Sequence, residues 1–287
     1  MYNLAMKVEF DRLFLATASE RACLCKHLYV HDRADPPAGW TMLATSDQLT
    51  PATATSGFFA AVYQRVDPAS GERATVIAIR GTNDKLDLRS NFMIFSRRLP
   101  PQFNDTMAFI NAACDQLGLN TREIELTGHS LGGYLARAIS RVQEFRKAWC
   151  FSSPGPDERT QEKLRELGAS KLPADRIIHI RSRHDPIGLF GPDEKITVEV
   201  DTPNFHHDIA FMGRTLATHA GQKVEDSPLS TPITGKIFSV FNAVSKLVTG
   251  AQTLRNLIKK LSTYDDENRQ SLAVYTLMQH RAAPPRP

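Results

Sequence analysis

The sequence predicts an α/β fold: a mixed, mostly parallel sheet flanked by helices, with a C-terminal helical extension. Three observations predict it. Phe58–Val66 and Ala74–Arg80 are apolar, strand-like stretches on either side of an Asp67-Pro68-Ala69-Ser70-Gly71-Glu72 turn, which reads as an antiparallel hairpin. Beyond it the strand-like segments Ile124–Leu126, Ala148–Ser153 and Ile177–Arg181 alternate with helical patterns, as parallel crossovers require. Finally, Gly128-His129-Ser130-Leu131-Gly132 stands where a strand pattern gives way to a helix pattern.

Taken in order, residues 8–30 read as an opening helix, with Phe10, Leu13, Phe14, Leu24 and Leu28 on one side and Thr17 and Arg21 interrupting the stripe. Trp40–Thr45 suits a strand and precedes the hairpin. Asn91–Gln102 mixes Phe92, Met93, Ile94 and Phe95 with Arg97, Arg98, Pro100 and Pro101, which suits a loop or short helix over an apolar surface. Asp105 is placed to cap a helix through Leu117, with Met107, Ile110 and Cys114 on one side and Gly118 ending it. Residues 157–168 form a polar surface helix, and Ile196–Val200 alternates as a half-exposed edge strand does. His206-His207-Asp208-Ile209 opens a further helical run.

Residues 1–221 therefore read as one domain and 222–287 as an extension. In the extension, a helix capped by Thr231 carries Ile237, Val240, Val244, Leu247, Ala251, Leu254, Ile258 and Leu261 at spacings of three and four. Its charged residues are basic. That stripe suits packing on the body or pairing with the final helix, and secondly a lid making peripheral contact with an anionic membrane through residues 231–262.

Composition narrows the function classes. A net charge of +4 is mild, and without a zinc-finger, RNA-binding or long basic motif no nucleic-acid partner is expected. Lys7, Glu9, Asp11, Arg12 and Glu20 break any apolar signal-peptide core, so the expected location is cytoplasmic as synthesised, with leaderless export left open. Cys23, Cys25, Cys114 and Cys150 lack disulfide or metal spacing and read as small hydrophobes; no metal or cofactor is expected.

The pentapeptide carries the chemistry. Ile124 and Leu126 precede it with strand alternation, while Leu131, Leu135, Ala136, Ile139 and Val142 follow with helical spacing. This is the nucleophile elbow, a turn that lifts the Ser130 hydroxyl above the edge of a sheet. A serine hydroxyl is a poor nucleophile at neutral pH. It needs a histidine to accept its proton, a carboxylate to orient that histidine, and donors for the oxyanion.

In the α/β-hydrolase fold the acid and then the histidine follow the serine along the chain. Asp185, four residues past the Ile177–Arg181 strand, is the preferred acid, and Asp157 is the rival. His207 is the preferred base, with His206 and His219 open as alternatives. His129, His179 and His184 read as structural or loop residues, and His206-His207-Asp208 lacks the partner ligands of a metal site. The oxyanion donors fall to the Leu131 N–H and to Thr82, in the loop after Ala74–Arg80.

Ile77-Ala78-Ile79-Arg80-Gly81-Thr82, Gly128-His129-Ser130-Leu131-Gly132-Gly133, Ser152-Ser153-Pro154-Gly155 and His184-Asp185-Pro186 together resemble the class 3 lipases over about residues 10–215. The resemblance implies an α/β-hydrolase fold and a serine esterase acting on glycerolipid or phospholipid esters. It places Ser130 as nucleophile, Asp185 as acid and Thr82 at the oxyanion hole. The interval from Asp185 to His207 is shorter than in many secreted fungal members, and the expected lack of a signal peptide and of a disulfide pattern resembles bacterial intracellular members, or lipase effectors delivered by a contact-dependent secretion machine. An acyltransferase with the same three residues, or a hydrolase fold used only for binding, are the alternatives.

Overall fold

Helix α1 (Arg12–His27) is followed by β1 (Thr41–Thr45), the short α2 (Ser46–Leu49), β2 (Ala60–Val66), β3 (Arg73–Ile79) and α3 (Gln102–Leu117). Then come β4 (Ile124–His129), α4 (Leu131–Ile139), β5 (Lys147–Phe151), α5 (Glu158–Glu166), β6 (Ile177–Ser182), β7 (Ile196–Val200) and α6 (Ile209–His219). The structure, a computed structural model, describes residues 11–81, 99–168, 176–182, 185, 187–188, 191–200 and 207–222, apart from the side chains of residues 52, 54 and 55. Thr82, Phe92–Phe95, His184, His206 and the extension beyond residue 222 lie outside the described residues.

The seven strands form one sheet in chain order. β1, β2 and β3 pair antiparallel, and every pairing from β3 through β7 is parallel. In-order parallel strands with right-handed crossovers put the connecting helices on one face. The core agrees: Phe103, Phe109 and Ile110 of α3, Leu135 and Ile139 of α4 and Leu164 of α5 share one cluster. On the opposite face Ala18, Ala22 and Cys25 of α1 pack with Ile209, Met212 and Leu216 of α6 over Trp149, Phe151, Ile178 and Ile180. In β3 the run Val76–Ile79 is apolar at every position because both of its faces are covered. Ile77 and Ile79 enter the first core, while Val76 and Ala78 face Leu24, Leu28 and Trp40 on the other side.

Two helix expectations shift. α3 begins at Gln102, so Asp105 lies in its first turn rather than capping it. In α1 Leu13 is 75% exposed, whereas Arg21 is buried. Arg21 is tolerated there because its Nε donates to Glu125 Oε2 at 2.9 Å, and Trp149 Nε1 donates to the same oxygen at 3.0 Å. The stripe that buries α1 is therefore built from Ala18, Ala22, Leu24 and Cys25, with a paired cation inside it. Cys25 and Cys150 are buried, Cys114 is partly so and Cys23 is exposed; all four are free thiols.

Candidate active site

The site is assembled at the C-terminal edge of the parallel strands, where the loops of such sheets converge. β4 ends at His129, α4 starts at Leu131, and Ser130 alone makes the turn, with φ 57° and ψ −123°. A non-glycine residue held there costs of order 1–3 kcal/mol, which the surrounding contacts must offset. Ser130 N–H donates to the Phe151 carbonyl at 3.0 Å, and its own carbonyl accepts the Tyr134 N–H at 3.0 Å. Gly128 and Gly132 make the turn sterically feasible. A Cβ at Gly132 would strike the Ile79 carbonyl of β3, and one at Gly128 would strike the backbone of Gly132. Ser130 is left half-buried, at the N-terminus of α4, where unpaired N–H groups and the helix dipole favour negative charge. Leu131, the first residue of that helix, is buried.

Asp185 lies just beyond β6 and is fully buried. Its N–H donates to the Ser182 carbonyl at 3.1 Å, and its Oδ1 accepts the Ile187 N–H at 3.0 Å. Its Oδ2 lies 2.8 Å from His207 Nδ1. His207 stands immediately before Asp208, the N-cap of α6, whose Oδ1 accepts the Ala210 N–H at 2.8 Å. The His207 ring lies against His129, ring centroids 4.6 Å apart, so the imidazole packs on the residue that precedes Ser130. Burial, and then the neighbouring His207 imidazole, hold His129 well below the usual histidine range.

The other candidates are placed elsewhere. Asp157 is the N-cap of α5, and its Oδ1 accepts the Thr160 N–H at 2.9 Å. His219 ends α6, exposed, with Nδ1 2.7 Å from the Thr215 carbonyl. At 1.5 Å rise per residue, that is about 15 Å from Ile209, at the end of the helix opposite His207. His179 is buried in β6 away from the pair, and burial lowers its pKa strongly. Among the described residues no group of three His, Cys, Asp or Glu side chains is arranged to hold a metal ion.

Two arginines that hold the acid-bearing loop were not anticipated. Arg137, in α4, is fully buried; its Nε donates to Glu194 Oε1 at 2.8 Å, Nη2 to the Pro192 carbonyl at 2.8 Å and Nη1 to the Ser153 carbonyl at 3.2 Å. Burial pushes its pKa down, and Glu194 pulls it back up. Arg181, in β6, binds Asp193 Oδ1 at 2.5 Å, Glu199 Oε1 at 3.0 Å and the Gly188 carbonyl at 3.4 Å. Both clamps grip the segment that follows Asp185. The signal for Arg137 was present as a lone cation in the otherwise small and apolar run Leu135-Ala136-Arg137-Ala138-Ile139, which only a buried anion makes tolerable.

A strand-to-helix elbow on a mixed sheet of this order, with an Asp–His pair delivered by later elements of the same edge, defines an α/β-hydrolase fold. The chain belongs to the phospholipase-like family: the model of the Tle-like phospholipase domain matches residues 20–183. It is this family, rather than class 3 lipases in particular, that the match shows. The matched segment includes Ser130 and ends just before Asp185.

Two solved structures are similar at low identity. The extracellular lipase LipA from Serratia marcescens is 16% identical over 61% of this chain and 40% of its own, with a TM-score of 0.38. The chain thus spans less than half of that lipase. An esterase/lipase from an uncultured bacterium is 12% identical over 94% of this chain and 98% of its own, with a TM-score of 0.31. No curated protein matches the chain.

Proposed function

We propose that the protein is a lipid ester hydrolase, cleaving carboxylic esters of phospholipids or other glycerolipids through an acyl-enzyme on Ser130. The observation that carries the reading is the 2.8 Å contact between Asp185 Oδ2 and His207 Nδ1, held beside the elbow. A carboxylate at Nδ1 keeps the ring proton there and leaves Nε2 as the acceptor for the serine proton. In the reaction so assigned, Ser130 Oγ attacks the ester carbonyl while His207 takes its proton. The oxyanion is stabilised by the Leu131 N–H and by Thr82. His207 then returns the proton to the departing alcohol, and water activated by His207 cleaves the acyl-enzyme. Asp185 orients the imidazole throughout. Membership of a phospholipase-like family supports a lipid ester as the substrate.

The test is release of fatty acid from phosphatidylglycerol and phosphatidylethanolamine vesicles and from a triacylglycerol emulsion. The wild-type protein should release fatty acid, and Ser130→Ala should be slower by about 10⁴-fold or more. Hydrolysis of a soluble short-chain ester without release from any of the three lipids would refute the substrate class. Full activity of Ser130→Ala would refute the mechanism.

A further inference from the structure

Tyr29 follows α1, yet its phenol touches parts of the candidate site that lie far away in the chain. The Gly81 N–H donates to the Tyr29 hydroxyl oxygen at 3.0 Å. That oxygen also lies 3.4 Å from His129 Nδ1, and the two rings meet edge to face with centroids 6.4 Å apart. His129 in turn carries the His207 ring, centroids 4.6 Å apart. One hydroxyl thus adjoins the first residues after β3, which lead into the loop assigned to the oxyanion, and the residue before Ser130. Through His129 it also reaches the proposed base.

The close approach is built into the sequence at Gly81. A Cβ there would come within 2.5 Å of both the Tyr29 hydroxyl and the His129 carbonyl oxygen, and within 3.2 Å of Ser130 Cβ. Any side chain at that position would push the phenol and the elbow apart.

The phenolic oxygen accepts from Gly81, and the hydroxyl also contacts His129 Nδ1. His129 is kept neutral by burial and by the His207 imidazole. Its Nε2 makes no well-formed hydrogen bond, although the His207 backbone lies near enough to favour the charged ring and so opposes those two effects. The Gly81 N–H is committed to Tyr29, so the loop's oxyanion donor must come from further along, which suits Thr82.

We propose that Tyr29 is a positioning residue. Its hydroxyl ties the start of the oxyanion loop to the nucleophile elbow and, through His129, fixes the plane in which His207 meets Ser130. The inference rests on the reading of Ser130, His207 and Asp185 given above. Its reach comes from geometry: misplacing a reacting group by about 1 Å can cost about 100-fold in rate.

The test is Tyr29→Phe, which keeps the ring and removes the hydroxyl, assayed on a soluble p-nitrophenyl ester. Rates are expressed per active site titrated with a fluorophosphonate. The expected result is a fall in kcat of about 10- to 100-fold with KM changed by less than about threefold. His129→Leu removes the partner of that hydroxyl and should behave alike. The double variant should lose no more than the worse single one, because both act through one contact. A merely structural role would reduce the number of titratable sites and leave kcat per site unchanged.

Unchanged kcat per site in Tyr29→Phe, or losses that multiply in the double variant, would overturn the proposal. Should Tyr29→Phe not fold, the same reading of His129→Leu decides it. Ser130→Ala separates the two levels. If that variant stays active, the catalytic reading itself has failed; if it is inactive while Tyr29→Phe is fully active, only the positioning role is lost.

Discussion

Asp185→Asn should lower kcat by about 10⁴-fold while leaving the protein folded. The carboxylate is fully buried and has two fixed partners, the Ile187 N–H at Oδ1 and His207 Nδ1 at Oδ2. An asparagine keeps the shape and can keep the contact with Ile187 through its carbonyl oxygen. Its NH₂ then faces His207 Nδ1 and must donate to it. That forces the imidazole proton onto Nε2, where it can no longer accept from Ser130. The prediction is therefore a loss in kcat with KM within a few-fold and a melting temperature near that of the wild type. Steady-state kinetics on a soluble ester, with a thermal melt, checks it. A loss smaller than tenfold would mean that His207 is not oriented by Asp185.

The second large effect is on stability. Arg137→Met should destabilise the fold by about 3–5 kcal/mol, the usual consequence of removing one partner of a buried ion pair. The guanidinium is completely covered, and its loss strands the Pro192 and Ser153 carbonyls and one side of Glu194. Arg141, whose Nη2 lies 2.6 Å from the same Glu194 oxygen, remains as a partly exposed partner and keeps the loss toward the lower end. Replacing both Arg137 and Glu194 by methionine should recover part of the stability, since the fully buried charge is gone and Arg141, which loses its carboxylate, keeps contact with solvent. Urea unfolding of the single and double variants measures this. A single-variant change below about 1 kcal/mol would show that the clamp is not what holds the loop after β6.

What the chain disclosed on reading depended on how local the signal was. Gly128 to Leu135 carries strand, turn and helix in one short stretch, and the turn could be read because its steric demand is met by adjacent glycines. β3 and β6 were readable from apolar runs alone. Asp185 and His207 were chosen by chain order, and their side chains lie 2.8 Å apart. The tertiary pairs were not readable in this way. Arg21 with Glu125 and Tyr29 with His129 span about a hundred residues, and no local pattern links them. Arg21 even read as a break in the α1 stripe, because periodicity scores a charge as exposed and cannot see the carboxylate waiting on β4. Asp105 looked like a cap because Pro100-Pro101 read as loop, whereas Pro101 is itself the N-cap of α3, where its missing N–H breaks no intrahelical bond.

Fluorophosphonate labelling followed by peptide mass mapping tests whether Ser130 is an activated nucleophile. The expected result is one covalent phosphonyl adduct on the peptide containing Ser130, absent from Ser130→Ala and formed far more slowly in Asp185→Asn. An adduct on a different serine, or no adduct in a preparation that hydrolyses lipid esters, would contradict it.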